Sequence, residues 1–335
     1  MMKGRKKIFV LLSLVSVMLI AAACTQTNHE EKKESIQESA EEKWVWERKI
    51  EIICPYSAGS GNDQAARALA TSLGEVLDVP VTVTNVSGGN SAVGFEYYLE
   101  LPADGYSFFE CSPAIIIRSL DGDISRDINE FLPIGVISSG LYCVHGAKGK
   151  FANIDELVAY AKENPGTLRI GGVGNKSVDF IATRQFADTF GIELSFISFD
   201  SDSEITTALM TGDLDLAVAS PGDVAEYLEA GTTVGYVVFG SERNQAIPDI
   251  PSMADIGYDS DFMTCRYLLC NPETPAEAVE AMREAMKLAA NTDSYKDYLT
   301  AIGNFSEAEG YKDAEFLQEY MQFMSNYMIE TGMCE

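Results

Sequence analysis

The chain predicts an α/β fold, and three observations carry that reading. Strand-like apolar runs alternate with helical patterns along most of its length; about 290 residues follow a polar N-terminal stretch, enough for two domains of typical size; and two glycine-bearing loops each join a strand end to a helix start. Taken in order, the strand-like runs fall at residues 50–54, 81–86, 107–111, 134–144, 168–171, 194–199, 214–219 and 234–239. Helix-like patterns fall between them at 65–77, 92–101, 154–163, 180–190, 204–211 and 224–230. The last part changes character. After a strand-like run at 266–270, residues 275–290 read as a helix with Pro275 at its start and Asn291 at its end. Residues 312–330 place Phe316, Tyr320, Met324 and Met328 on one stripe, joined by Leu317, Met321 and Tyr327. A methionine and aromatic stripe at helical spacing is core packing before it is a ligand box.

The N-terminus carries Lys3, Arg5, Lys6 and Lys7, then an uncharged run from 8 to 23, then Cys24. That is the layout of a bacterial export signal. Ile20-Ala-Ala-Ala-Cys24 resembles the lipobox, in which the cysteine becomes the lipidated first residue of the mature chain. A permanent transmembrane helix competes with this reading, but the run of 16 residues is short of the roughly 20 that a span needs. Residues 25–43 are rich in Glu, Lys, Ser and Gln with almost no large apolar side chain, so burial cannot offset the entropy of ordering them. The expected order is a lipoprotein signal peptide at 1–23, a flexible tether at 24–47 and a folded body beyond.

Loss of residues 1–23 takes the formal charge from −27 to −31. No Lys/Arg cluster then remains, which argues against nucleic acid as a partner. The acidity repels small anions at long range, yet salt screens it over roughly 8 Å, so local amides decide what binds. Beyond Cys24 there are six cysteines, at 54, 111, 143, 265, 270 and 334, with no CxxC pair; the histidines are His29 in the tether and His145. Neither a metal site nor a cofactor is expected from that inventory. Export permits disulfides, but Cys54, Cys111, Cys143 and Cys270 sit in or beside apolar strand-like runs, where buried free thiols are common. Cys265 and Cys270 are an odd number apart and face opposite sides of one strand.

The first loop is Pro55-Tyr-Ser-Ala-Gly-Ser-Gly-Asn-Asp63, between the run ending at Cys54 and the helix that includes Gln64 to Leu73. Small residues let a ligand approach the backbone, and the first amides of a helix lack intrahelical partners, so such a loop suits a carboxylate or phosphate. An ordinary tight strand-to-helix turn has the same composition. The second loop, Gly171-Gly-Val-Gly-Asn-Lys-Ser-Val-Asp179, has neither the final glycine of GxGxxG nor the spacing of GxxxxGK[ST]. Gly-x-Ser-x-Gly is absent, and one histidine in the folded body leaves little material for a hydrolase triad.

The two loops, together with Asn85-Val-Ser-Gly-Gly-Asn-Ser-Ala-Val-Gly94, Pro102-Ala-Asp-Gly-Tyr106, Thr211-Gly-Asp-Leu-Asp-Leu216, Ile247-Pro-Asp-Ile-Pro251, Ala254-Asp-Ile-Gly257 and Cys270-Asn-Pro-Glu-Thr-Pro275, resemble the substrate-binding proteins of tripartite tricarboxylate transporters, also called the Bug family. The resemblance covers residues 48–330. It implies a two-lobed type II periplasmic-binding-protein fold with a small carboxylate held in the cleft between lobes. Lobe 1 would be residues 48–143 plus 259–335 and lobe 2 residues 144–258.

Carried over position by position, the resemblance assigns ligand contacts to Tyr56, Ser57, Ala58, Gly59, Ser60, Asn62 and Asp63 in the first loop. Ser112 would add a hydroxyl beside the ligand, with a helix cap as its other reading. In lobe 2 the matching residues are Gly174, Asn175, Lys176, Ser177 and Asp179, followed by Ser220 and Pro221. Asp63 and Asp179 also read as helix caps. Two positions depart from the family pattern. Phe199-Asp-Ser-Asp-Ser203 stands where relatives have Tyr-Lys-Gly or similar, and Lys176 stands where they have a small residue. If Asp200 faces the cleft, it disfavours a second ligand carboxylate and favours a cationic group such as that of an amino acid; Asp202 and Ser203 read as caps of the next helix.

The expected function is an extracytoplasmic, lipid-anchored receptor that captures a small carboxylate, a di- or tricarboxylate or an amino acid, and delivers it to membrane permease subunits. A sensor feeding a membrane kinase would use the same cleft. An exported enzyme lacks a visible acid/base or nucleophile constellation.

Overall fold

The structure, a computed structural model, describes residues 44–258, 263–302 and 311–334. These belong to one unit, Lys43–Glu335. The export signal, the lipidation site at Cys24 and nearly all of the tether lie outside the described residues.

Two five-stranded sheets organise the body. The first contains β1 (Ile50–Cys54), β2 (Val81–Asn85), β3 (Ser107–Cys111), β4 (Leu132–Gly140) and β10 (Thr264–Cys270), in the order β2-β1-β3-β10-β4. The second contains β5 (Cys143–Ala147), β6 (Arg169–Val173), β7 (Ser195–Phe199), β8 (Leu216–Ala219) and β9 (Thr233–Val238), in the order β7-β6-β8-β5-β9. Both follow one plan. A central strand pairs in parallel with two neighbours, β1 with β2 and β3, β6 with β7 and β8. An antiparallel strand then enters between the third strand and the edge: β10 in the first sheet, β5 in the second. The chain crosses from the first sheet to the second at Leu141-Tyr142 and returns between β9 and β10. The architecture is α/β and two-lobed.

The crossing corrects one sequence expectation. Residues 134–144 read as a single strand, whereas the chain breaks at Leu141-Tyr142 and its two parts join different sheets. Both parts are buried, so the apolar run passes through the break without a polar signal.

Helices cover the sheets through apolar stripes. On one face of the first sheet, Ile52, Cys54, Phe108 and Leu268 meet Ala65, Leu69 and Leu73 of α1 (Gly61–Val76) and Val279, Met282 and Met286 of α8 (Ala276–Ala289). The other face packs Ile53, Phe109 and Cys111 against Phe95 and Tyr98 of α2 (Ala92–Leu99), Ile115 and Ile116 of α3 (Ala114–Leu120), and α10 (Ala314–Glu330). On α10 the buried side chains are Leu317, Tyr320, Met321, Met324, Ser325 and Met328, so the stripe is core. That core continues into the second sheet through Val144 and Ile170. All six cysteines beyond Cys24 are free thiols, and Cys334 alone of them is partly exposed.

Candidate functional site

Loop one is built around a buried carboxylate. Ser60 caps α1, its Oγ accepting the Asp63 amide at 3.3 Å. Asp63, 2 % exposed, accepts the Gly59 amide (2.8 Å), Arg67 Nε (3.0 Å) and Asn85 Nδ2 (2.8 Å). Burial alone raises this carboxyl; the bonds from Arg67, Gly59 and Asn85 outweigh it and hold it below the usual range. Asn85 also donates to the Tyr56 carbonyl at 3.0 Å, which ties the loop to the end of β2. The peptide from Ser57 to Gly59 consequently turns outward and is exposed, while Tyr56, Ser60, Gly61 and Asn62 face inward. α2 packs so tightly beneath that a Cβ on Gly94 would lie 2.5 Å from Pro55 Cβ and 2.6 Å from the Val86 carbonyl oxygen.

Ser112 follows β3 and is 5 % exposed. Its hydroxyl lies 2.7 Å from the Tyr56 hydroxyl, which also accepts from Ser91 at 3.3 Å. The α3 N-terminus is at Pro113, with no side-chain cap, so Ser112 braces Tyr56 rather than capping that helix.

Loop two repeats the design of loop one. Ser177 caps α5 (Val178–Phe190), accepting the Phe180 amide at 3.3 Å and donating to the Gly174 carbonyl at 3.0 Å. Asp179 accepts the Val173 amide at 2.7 Å and the Tyr142 hydroxyl at 2.8 Å. Burial pushes its carboxyl up to about 6 against those bonds, and the charges of Asp202 and Asp223 add to the rise. Lys176, at φ 51°, pairs instead with Asp121 Oδ2 at 2.7 Å, at the C-cap of α3. Two further helices add their ends: α6 (Asp202–Thr211), and α7 (Pro221–Glu229), capped by Ser220, whose hydroxyl accepts the Asp223 amide and donates to Asp223 Oδ2 at 2.6 Å.

These ends enclose an open cleft of about 710 Å³ between the two sheets. Of the residues picked from sequence, Tyr56, Ser60, Asn62, Ser112, Gly174, Asn175, Ser177, Asp179 and Ser220 line it together. Ser57, Ala58, Gly59, Asp63, Lys176, Asp200 and Pro221 do not line it: the first three turn outward, Asp63 is occupied inside its loop, and Pro221 is buried. Asp200 engages Glu204 through its amide at 3.2 Å. The acid of that segment on the cleft is Asp202, with Asp223 beside it on the same wall.

Sequence reasoning missed Arg266, Tyr142, Asn90 and Asp223 as cleft residues, and read Asp202 as a cap of α6, a place that Ser201 takes. Arg266 had a readable signal, because it is the one charge in the apolar strand Thr264-Cys-Arg-Tyr-Leu-Leu-Cys270, and a charge placed there requires a use. Its Nε is buried and unpaired, and its guanidinium lies 2.7 Å from where a Cβ of Gly61 would stand; glycine leaves the room that the arginine needs. Behind it, on β3, Glu110 is fully buried with both oxygens unpaired. His145 lies apart from the cleft, stacked on Tyr227 at 5.6 Å, and burial lowers it to about 4, so it is neutral at pH 7. Among the described residues no group of three or more His, Cys, Asp or Glu could hold a metal ion, and no helix is long and apolar enough to cross a membrane.

Residues 65–332 match the family described as the tripartite tricarboxylate transporter family receptor. A UPF0065 protein from the gbd 5' region of Cupriavidus necator is 26% identical over 282 residues, covering 83% of each chain. Among solved structures, a TctC solute-binding protein from Polaromonas superposes with a TM-score of 0.73 at 22% identity, covering 85% of this chain and 98% of that one. An R. palustris protein solved with adipate gives 0.70 at 21% identity, covering 85% and 96%.

Proposed function

Because the chain belongs to the tripartite tricarboxylate transporter receptor family, and is thus a solute-binding receptor rather than an enzyme, we propose that its cleft captures a small carboxylate and presents it to the membrane permease subunits of such a transporter. One observation carries the reading: helix N-termini from both sheets, α1 on one side and α5 and α7 on the other, converge on a single cleft with serine caps at each. Helix N-termini favour anions through their unpaired amides and aligned dipoles. A buried carboxylate needs several such donors. Asn62, whose side-chain Nδ2 is a donor, and the paired Tyr56 and Ser112 hydroxyls stand on the first wall. The adipate held by the R. palustris neighbour supports a carboxylate as ligand.

The lobes are residues 48–143 plus 259–335 and residues 144–258, a division supported by which strands each sheet contains except at Cys143, which begins β5 of the second sheet. Contact with both lobes makes the ligand stabilise the closed form, which is what a permease would recognise. The receptor works outside the cytoplasm, tethered by a lipid on Cys24. Radiolabelled palmitate incorporated into the protein, and lost in Cys24→Ala, is the expected sign of that anchor; equal labelling of the variant contradicts it.

The test of ligand class is a thermal-shift panel of mono-, di- and tricarboxylates and amino acids on the purified protein. At least one carboxylate should raise Tm in a dose-dependent way. No response across the panel contradicts the reading.

A further inference from the structure

The two walls of the cleft carry opposite charge. On the first, Arg266 stands beside the N-terminus of α1, and Asp63 in that wall is already matched by Arg67. With a helix N-terminus counted as about half a positive charge, this wall sums to about +1.5. On the second, Asp179, Asp202 and Asp223 face three helix N-termini, those of α5, α6 and α7, for a sum of about −1.5. Tyr142 sits between the walls at the chain crossing; burial and then Asp179 push its hydroxyl up, and Arg266 opposes them.

The acids differ in what occupies them. Asp179 and Asp223 fasten their own loops through Val173 and Ser220. Asp202 does not: Ser201 caps α6 without a side-chain bond, and among the described residues the Asp202 carboxylate takes a hydrogen bond only from its own backbone amide. Arg266 is the independent counterpart, with a buried Nε that no acceptor reaches and no carboxylate within ion-pair distance among the described residues. A linear dicarboxylate would satisfy Arg266 and then press its far end against Asp202 and Asp223.

Resting on the receptor reading above, we propose that the ligand is a zwitterion whose carboxylate pairs with Arg266 and whose ammonium group faces Asp202 and Asp223. The ligand class is an amino acid or an amino-carboxylate, bound across the cleft with its charges antiparallel to the walls. Arg266 and Asp202 are then the specificity-determining residues. Like-charge contact at one end is what rejects the dicarboxylate.

Calorimetry on the purified protein tests this with length-matched probes: succinate against 4-aminobutyrate, adipate against 6-aminohexanoate, and the common α-amino acids. An amino-carboxylate or α-amino acid should bind about tenfold or more tighter than the dicarboxylate of similar length. Asp202→Asn, a change at an exposed helix start, should narrow that gap, and Arg266→Gln should weaken every carboxylate. Tighter binding of the dicarboxylates overturns the zwitterion inference and leaves the receptor reading standing. An amino preference that survives unchanged in Asp202→Asn and in Asp223→Asn also overturns it. Failure of every probe contradicts both the inference and the receptor reading on which it rests.

Discussion

Glu110, fully buried on β3 behind Arg266, is a group whose protonation bears on stability. Burial pushes its carboxyl up to about 8, against the opposing pull of the Arg266 guanidinium. An unfolded glutamate titrates near 4.3, so between about 4.3 and 8 the folded protein holds a proton that the unfolded chain has released. Stability from this group is therefore present in full below that window and is lost as pH rises through it. Glu110→Gln keeps the neutral shape, and its Tm should gain on the wild type as pH goes from 5 to 9, by several degrees at the alkaline end. Parallel melting curves across that range contradict the assignment. Asp63 has the opposite sign, since its bonds hold it low and its contribution disappears only on acidification. Asp63→Asn leaves Arg67 without its ionic partner, and should cost about 1–3 kcal/mol at pH 7, read from urea unfolding. These buried groups show where residue-level reading ran out. Asp63 was legible as a cap three places past Ser60, but Glu110 and Arg266 are single charges inside apolar strands, and their neighbours come from strands far apart in sequence.

At the scale of elements, the two ligand loops are strand ends held by a serine cap and an aspartate, and each depends on close support. Gly94 lets α2 approach Pro55 and the Val86 carbonyl, so Gly94→Ala should destabilise the protein by about 1–3 kcal/mol and weaken ligand binding through loop one. Unchanged denaturation midpoint and affinity contradict that coupling. Most elements were legible because caps and periodicity agree: α4 (Ile154–Glu163) begins after Asn153, which accepts the Glu156 amide, and its limits match the sequence pattern. Two helices were not legible. Ala114–Leu120 opens with a continuous apolar run, which periodicity cannot tell from a strand. α9 (Asp293–Ala301) is short and polar, and Tyr295 is its one buried residue, so its stripe is too thin to register. The site was half legible for a similar reason. The sequence marks loops that start helices, but which wall faces which depends on the crossing at Leu141-Tyr142, hidden in one apolar run.

For the whole molecule, the repeated strand order of the two sheets places helix N-termini from each lobe around one cleft. Lys176 and Asp121 join the lobes beside it without lining it. Lys176→Met should weaken ligand binding only slightly, about threefold, with the order of ligand preference unchanged, because an ion pair of this kind contributes less than about 1 kcal/mol. A reordered preference in that variant places Lys176 on the ligand and contradicts its role as a link between lobes. The central claim is that one ligand is gripped from both lobes at once. Hydrogen exchange measures it most directly, with the carboxylate that gives the largest thermal shift held at saturating concentration. Peptides spanning Ser60–Asp63 and Gly174–Ser177 should both gain protection together. Protection of one loop with the other unchanged, or of neither, contradicts the account.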